Sequence, residues 1–153
     1  MVPEAMRAAW MLKEEYGIEA RVINVHTLKP LDPKHLIRAA RETGVVVTAE
    51  EHQVGGLANL VARALVTAPE LYGRPLAFGC VGVKDRFGES GQPWELMWEF
   101  EVSAEHIAQK AKALYDLAHA ARPVVQKAVP KKKAAPKKPA ADKPARKKAA
   151  KKA

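Results

Sequence analysis

Hydrophobic positions in the first part of the chain recur at helical spacing and then change to a continuous extended run. A stripe with four-residue spacing, widened at its end, predicts an amphipathic helix that stops at Gly17; its members are Val2, Met6, Trp10, Met11 and Leu12. Residues 20–25, with the sequence ARVINV, are mostly apolar and β-branched, which predicts a strand. On pattern alone, the chain therefore begins as a helix followed by a strand.

The same alternation continues through the next helix and strand. Asp32 is the predicted N-cap of the second helix, with Pro33 at its first position. This helix ends at Gly44, and its apolar positions are Leu36, Ile37, Ala39 and Ala40. Residues 45–50, VVVTAE, form the second predicted strand, whose nearly unbroken apolar run indicates burial on both faces.

Four more elements follow the polar loop EHQVGG at residues 51–56. They are a helix over about residues 57–66, a strand over residues 75–81, a short helix that begins at Pro93 and a longer helix capped by Ser103. The apolar positions of the last two helices are Trp94, Leu96, Met97 and Trp98 in the first, and Ile107, Ala111, Leu114 and Leu117 in the second.

Strands and helices that alternate at this spacing predict right-handed crossovers and a parallel sheet. The predicted fold class is therefore α/β: a three-layer sandwich with a mostly parallel sheet flanked by helices. In such sheets, ligands and partners gather beyond the carboxyl ends of the strands. The loops that follow the three predicted strands meet at that edge, which we call the rim; its candidate residues are Lys29, Glu51, His52, Gly55, Gly56, Asp85, Arg86, Phe87, Gly88, Ser90 and Gly91.

The net charge of +9 over 153 residues is unevenly distributed. Residues 127–153 carry 12 Lys/Arg and one acid, whereas residues 1–126 carry 14 Lys/Arg and 16 acids. The basic character therefore belongs to the tail, and the body is mildly acidic. The single cysteine, Cys80, excludes an internal disulfide and is interpreted as a core residue. The sequence contains neither a signal peptide nor an apolar run of membrane-spanning length, and we predict a cytoplasmic protein.

Each rim loop has a chemical and a structural interpretation. Gly55 and Gly56 before a helix could hold a phosphate, but a tight strand-to-helix turn is favoured because the P-loop lysine and the dinucleotide spacing are absent. Glu50, Glu51 and His52 could act as acid–base groups, yet no nucleophile or metal cluster accompanies them, so an interface hydrogen bond is favoured.

The third loop leaves a similar choice open. Asp85 and Arg86 could pair with each other across the turn, or one of them could face a ligand phosphate. The remaining histidines have no common spacing that would indicate metal ligands. We therefore assign no catalytic, cofactor-binding or metal-binding residue from the sequence.

Three segments together resemble the C-terminal domain of transketolase: ARVINVHTLKPLD, ETGVVVTAEEHQVGGLANLVARAL and GVKDRFGESGQPWELM. The similarity runs in order over about residues 2–120, and it implies such a domain over residues 1–122. Similar domains end 1-deoxyxylulose-5-phosphate synthase and the beta chains of 2-oxo acid dehydrogenases. The Gly-Val-x-Asp-Arg-Phe-Gly-x-Ser-Gly run is most similar to transketolase. One departure is Ala58, where the family often has a further glycine.

The resemblance implies an enzyme component that is inactive by itself. In this family, thiamine diphosphate and Mg²⁺ sit between a pyrophosphate-binding and a pyrimidine-binding domain, across a dimer interface, and neither domain is present here. The C-terminal domain mainly supports domain packing and the dimer. The implied reaction is the transfer of a two-carbon ketol unit between sugar phosphates, in the pentose phosphate pathway. The implied partners are the two missing domains, on a separate chain or absent.

A second departure concerns the start of the domain. Family members usually enter it through an apolar strand that ends in glycine, immediately before the helix that starts here at Val2. We therefore expect either a sheet that lacks an edge strand or a strand supplied by another polypeptide. A shortened or split gene would give the same sequence.

The tail, residues 123–153, is a low-complexity Ala/Lys/Pro segment. Its prolines and its lack of large apolar side chains predict disorder. Twelve Lys/Arg without any aromatic residue could bind nucleic acid or another anionic surface without sequence preference. The alternative function is therefore a non-enzymatic binding module tethered by this tail, and a solubilising extension is the simplest interpretation of the tail itself.

Overall fold

A computed structural model describes residues 1–53 and 55–120 of the chain. Its elements in chain order are α1 (Val2–Tyr16), α2 (Lys34–Thr43), β1 (Val45–Gln53), α3 (Leu57–Val66), a 3-10 turn (Pro69–Leu71), β2 (Ala77–Val83), α4 (Pro93–Glu99) and α5 (Ala104–Ala120). The predicted boundary near residue 122 and the predicted disordered tail lie outside the described residues.

The two strands of the described part form a parallel pair, with Val45 opposite Ala77 and Ala49 opposite Val81. Side chains of β1 alternate between two hydrophobic clusters because successive residues of a strand point to opposite faces. Val47 packs with α1 and α5, whereas Val46 packs with α2 and α3. Helices therefore cover both faces of a parallel sheet, which confirms the predicted α/β fold class.

The predicted apolar stripe of α1 is confirmed at Leu12 and Met11, which face the core, and is wrong at Met6 and Trp10. Met6 is 61% exposed and Trp10 is 65% exposed, whereas Ala8 and Leu12 are buried. The small Ala8 lets α1 pack closely against α5, so the larger side chains at four-residue spacing lie on the outer side. Gly17 ends the helix as predicted, with φ of 66°, a left-handed conformation that glycine adopts without strain.

The predicted strand at residues 20–25 is not formed. These residues have no strand conformation, and no backbone–backbone hydrogen bond joins residues 19–28 to any other described residue. Ile23 and Val25 still pack on the cluster of α2 and α3. The segment therefore has the apolar character of a strand but lacks a neighbour with which to pair.

Other boundaries differ by a few residues. Lys34 rather than Pro33 begins α2, and the Lys34 N–H donates to the Asp32 carboxylate at 3.1 Å. The polar residues 51–53 extend β1, and β1 is only partly buried, since Thr48 is its one fully buried residue. At the far end of α5, Leu117 is 65% exposed, contrary to the predicted inner face.

The ends of several other elements agree with the sequence pattern. The bounds of α3 match the prediction, Pro93 begins α4, and Ser103 immediately precedes α5. Gly44 ends α2 with φ of 71°. Cys80 is a free thiol of intermediate burial rather than a fully buried core residue. Within the described residues, every helix is too short or too polar to cross a membrane.

Candidate interface at the carboxyl edge of the sheet

Parallel pairing places the ends of β1 and β2 side by side, because Gln53 lies opposite Val83. The β1–α3 and β2–α4 loops therefore leave the sheet next to each other. Glu51 also lies in one surface depression with Val83 and Phe100. Two of the three predicted rim loops are thus brought together by the fold.

The Glu50 carboxylate caps the amino end of α3 by accepting hydrogen bonds from its first N–H groups. The Leu57 N–H donates to Glu50 Oε2 at 2.7 Å, and the Ala58 N–H donates to Glu50 Oε1 at 3.1 Å. A Cβ at Gly56 would lie 2.5 Å from the same carboxylate, so a larger residue there would push the Glu50 side chain away from these N–H groups. The position where a phosphate would bind a helix amino terminus is therefore taken by a side chain of the domain.

Glu51 and His52 have separate partners. Glu51 Oε1 accepts from the Met1 ammonium at 3.2 Å, and His52 Nδ1 contacts the Gln53 carbonyl at 3.1 Å. Both side chains are exposed on the last residues of β1. A histidine nitrogen that contacts a carbonyl donates its proton there, so this arrangement holds His52 against the backbone rather than against a carboxylate.

Arg86 connects the third loop to the end of α4. Its guanidinium donates to the Glu89 carboxylate at 2.5 Å, the Glu99 carboxylate at 2.9 Å and the Glu99 carbonyl at 3.3 Å, and it lies 4.7 Å from the centre of the Phe100 ring. The hydrogen bonds to Glu99 and Glu89 raise the pKa of Arg86 above its usual value. Arg86 thus pairs with these glutamates, and the described ion pairs do not include the Asp85–Arg86 pair, which was one of the two alternatives that the sequence left open.

The tip of this loop points outward. Asp85 has a φ of 31°, and Phe87 is 96% exposed. A Cβ added at Gly88 would have no described atom within 4 Å. Ser90 is exposed, and Gly91 lies against Leu96. The hydrogen bonds of Arg86 therefore hold the loop, and the Phe87 side chain next to Arg86 is exposed.

Two tryptophans that the sequence analysis listed among the apolar positions of this helix are also exposed. Trp94 is 68% exposed and Trp98 is 58% exposed, while Met97 packs on the cluster of α1 and α5. Trp94 and Trp98 are four residues apart and therefore share one face of α4. This spacing in the sequence is the signal that could have indicated an aromatic face on this helix. We call Phe87, Trp94 and Trp98 the aromatic surface.

Lys29 is exposed and precedes Pro30 through a cis peptide bond. Within the described residues it makes no hydrogen bond or ion pair with the other rim residues. Parallel pairing therefore places the loops that carry Glu51, His52, Gly55 and Gly56 and residues 85–91 at the same edge of the sheet.

The described residues do not fit the pyrophosphate of thiamine diphosphate or its metal ion. Residues 1–53 and 55–120 contain no group of three or more His, Cys, Asp or Glu side chains placed to hold a metal. The Gly55–Gly56 turn faces the Glu50 carboxylate, whose charge opposes that of a phosphate. The polar, charged and aromatic side chains at this edge are suited to contacts with another protein surface.

Comparison with known proteins is consistent with this geometry. The family model for the transketolase C-terminal domain matches residues 1–107. The chain belongs to the transketolase C-terminal domain family. The family uses thiamine diphosphate as its cofactor.

The relatives of this transketolase C-terminal domain are longer proteins. It is 42% identical over 112 residues to the 6-deoxy-6-sulfo-D-fructose transketolase subunit SqwH of Clostridium sp. (strain MSTE9), covering 72% of this chain and 33% of SqwH. It is 35% identical over 131 residues to 1-deoxy-D-xylulose-5-phosphate synthase of Heliobacterium modesticaldum, covering 85% of this chain and 19% of that enzyme.

Human transketolase is 37% identical over 113 residues, covering 72% of this chain and 17% of that protein. Among solved structures, a split gene transketolase described as an inactive beta4 tetramer matches with a TM-score of 0.67 and 39% identity, covering 76% of this chain and 37% of that chain. The chain thus spans about a third or less of the curated relatives it matches here.

Proposed function

We propose that this chain is the C-terminal component of a thiamine-diphosphate-dependent transketolase whose other domains lie on a separate chain. In the assembled enzyme, those domains would hold thiamine diphosphate and Mg²⁺ and would transfer a two-carbon ketol unit between sugar phosphates. This chain would contribute domain packing and dimer assembly, and alone it would bind no cofactor and have no activity. The similarity to a split gene transketolase supports the separate partner chain.

Two observations support the proposal: hydrogen bonds of Arg86 hold the 85–91 loop, and the aromatic surface is exposed. Arg86 holds the loop through three hydrogen bonds while Phe87 is left 96% exposed. Ordered loops that expose aromatic side chains are typical of the centre of a protein–protein interface, where Trp and Tyr supply much of the binding energy. The rim residues are therefore proposed to contact the partner chain.

The experiment has two parts. Purified chain is titrated calorimetrically with thiamine diphosphate in excess Mg²⁺, and we expect no saturable binding at micromolar concentration. The chain is then co-expressed with a polypeptide that carries the two thiamine-binding domains, and we expect co-purification and ketol transfer from a ketose phosphate. Micromolar binding by the chain alone, or a partner that is equally active without it, would contradict the proposal.

A second candidate is a component of 1-deoxy-D-xylulose-5-phosphate synthase, since that relative matches over a larger share of this chain. The same reconstituted complex separates the two reactions. Formation of 1-deoxy-D-xylulose 5-phosphate would indicate the synthase, whereas exchange of a two-carbon unit between sugar phosphates would indicate transketolase. Transketolase is favoured because the SqwH relative is more similar in sequence and a transketolase structure matches the fold.

A further inference from the structure

The aromatic surface lies in the most negatively charged part of the body. Residues 84–101, which include Phe87, Trp94 and Trp98, carry two Lys/Arg and five acids, a net charge of −3. The other residues of 1–126 carry 12 Lys/Arg and 11 acids, so the negative excess of the body lies in this one segment. An exposed aromatic surface inside a negative segment complements a cationic partner and repels an anionic one.

Both cations of this segment already have partners within it. Lys84 and Arg86 pair with three of its five acids, which are Glu101, Glu89 and Glu99. The described ion pairs include neither of the other two acids, Asp85 and Glu95. A cation that contacts the aromatic surface therefore has to come from outside this segment.

The chain itself combines an aromatic ring, carboxylates and a guanidinium at one point of this segment. The Arg86 guanidinium lies 4.7 Å from the centre of the Phe100 ring while it donates to two glutamates. A guanidinium is stabilised by both contacts, because the face of the ring and the carboxylates carry negative charge. Tryptophan is a better ring for this contact than phenylalanine. Among the described residues, however, no Lys or Arg lies over the three rings of the aromatic surface.

Neighbouring residues position Trp98 before any partner binds. Met97 of α4 packs on the cluster of α1 and α5, which directs the adjacent Trp98 to the outer side. The Trp98 ring also meets the His106 ring edge-on, with 4.9 Å between the ring centres, and His106 Nδ1 lies 2.8 Å from the Ser103 hydroxyl. Side chains that are already held lose little conformational freedom on binding, so Trp98 is suited to be a binding anchor.

A carboxylate lies beside the two tryptophans on α4. Glu95 precedes Trp98 by three residues, and residues three apart are neighbours on a helix surface. Glu95 Oε2 accepts from the Gln92 N–H at 3.3 Å, while Glu95 Oε1 takes part in none of the described hydrogen bonds. A cationic side chain that lies on the Trp98 ring therefore has a carboxylate acceptor within one turn of the helix.

The size of the aromatic surface fits a short segment rather than a whole domain. An aromatic side chain buries about 150–250 Å², so the exposed parts of these three side chains amount to roughly 300–500 Å². A typical stable interface buries about 800 Å² on each partner. Two copies placed face to face would also bring two segments of charge −3 together, and this repulsion opposes self-association through the surface.

We propose that the aromatic surface is the docking site for an arginine-bearing segment of the partner chain. Guanidinium groups of that segment lie over Trp94 and Trp98, and one of them donates to Glu95. Arginine fits better than lysine because its planar group stacks on an aromatic ring and donates to a carboxylate at the same time. That the segment belongs to the chain with the other transketolase domains rests on the proposed function, whereas the preference for a cation follows from the surface itself.

The test measures binding of a labelled peptide to the full chain by fluorescence polarisation. The probe has about ten residues, alternately arginine and glycine, and the matched control peptide has glutamine in place of each arginine; we expect saturable binding of the arginine peptide alone. Trp94→Ala should weaken this binding by at least about fivefold, whereas Trp10→Ala, which removes an exposed tryptophan of α1, should leave it unchanged. Glu95→Gln keeps an acceptor for the helix cap but removes the charge, so it should weaken binding by about two- to threefold, and the control Glu14→Gln on α1 should not.

Several results would overturn the proposal. Saturable binding that is absent for both peptides or equal for both would do so, and so would equal weakening by Trp94→Ala and Trp10→Ala. Self-association of the full chain in analytical ultracentrifugation that Trp94→Ala abolishes would show that a second copy covers the surface instead.

The peptide measurements contain no thiamine-binding domain, so they are independent of the proposed function. In the reconstituted complex, Trp94→Ala should weaken co-purification while its circular dichroism stays unchanged, because Trp94 is exposed. Normal co-purification of Trp94→Ala would show that the partner's segment docks elsewhere. Failure of the unaltered chain to assemble would contradict the proposed function but not the preference for a cation.

Discussion

Removing the carboxylate of Glu50 tests whether the amino end of α3 depends on a side chain seven residues away. In Glu50→Ala, the N–H groups of Leu57 and Ala58 lose the acceptors that now lie at 2.7 and 3.1 Å. Ala58 is only 5% exposed, so water replaces the lost acceptor poorly at that position. We expect a destabilised α3 in an otherwise unchanged fold.

The magnitude follows from capping and the helix dipole. Loss of a helix cap costs about 0.5–2 kcal/mol, and loss of a negative charge at a helix amino terminus costs about 0.3–1 kcal/mol more. We therefore expect a loss of about 2 kcal/mol in the free energy of unfolding. For a folded body of about 120 residues, an unfolding entropy of about 2.1 cal/mol/K per residue converts this loss to a fall in Tm of about 8 °C.

The assay is thermal unfolding followed by circular dichroism, with Glu51→Ala as the matched control. Glu51 is also a glutamate and is adjacent, but it is exposed, and its ion pair among the described residues is with the Met1 ammonium. Its loss should therefore cost no more than about 0.5 kcal/mol. Glu50→Gln, which keeps one oxygen acceptor, should fall between the two. A Tm of Glu50→Ala within about 2 °C of Glu51→Ala would refute the capping role.

Three further predictions address packing, assembly and the tail. Gly79→Val should lower stability by about 1–3 kcal/mol in chemical unfolding, since a Cβ there would lie 2.6 Å from Leu114 Cδ1; an unchanged midpoint would contradict the tight β2–α5 contact. Arg86→Ala should cost no more than about 0.5 kcal/mol of fold stability yet weaken co-purification with the partner chain. The control Arg74→Ala, which lies before the amino end of β2, should leave co-purification unchanged. Loss of folding with normal assembly would instead make Arg86 a structural residue. Deletion of residues 127–153 should leave Tm almost unchanged and abolish DNA binding that weakens steeply with salt, because 12 Lys/Arg are removed; salt-sensitive binding that persists would place the basic site in the body.

Local signals in the sequence determined the helices and their ends. Gly17 and Gly44 end α1 and α2 because the backbone at both positions adopts a left-handed conformation, which glycine does at no steric cost. The bounds of α3 and the start of α4 at Pro93 also followed from periodicity and turn chemistry within a few residues. Motifs in three ordered segments were enough for the family.

The tertiary structure decided everything that depends on a distant partner. A strand exists only when another strand pairs with it, so the apolar pattern of residues 20–25 could not show that these residues pair with no described strand. Spacing alone likewise could not show which side of α1 faces α5, and there the small Ala8 rather than Trp10 is buried. The capping role of Glu50 and the pairing of Arg86 with Glu99 join residues that only chain folding brings together, and composition carries no record of those contacts.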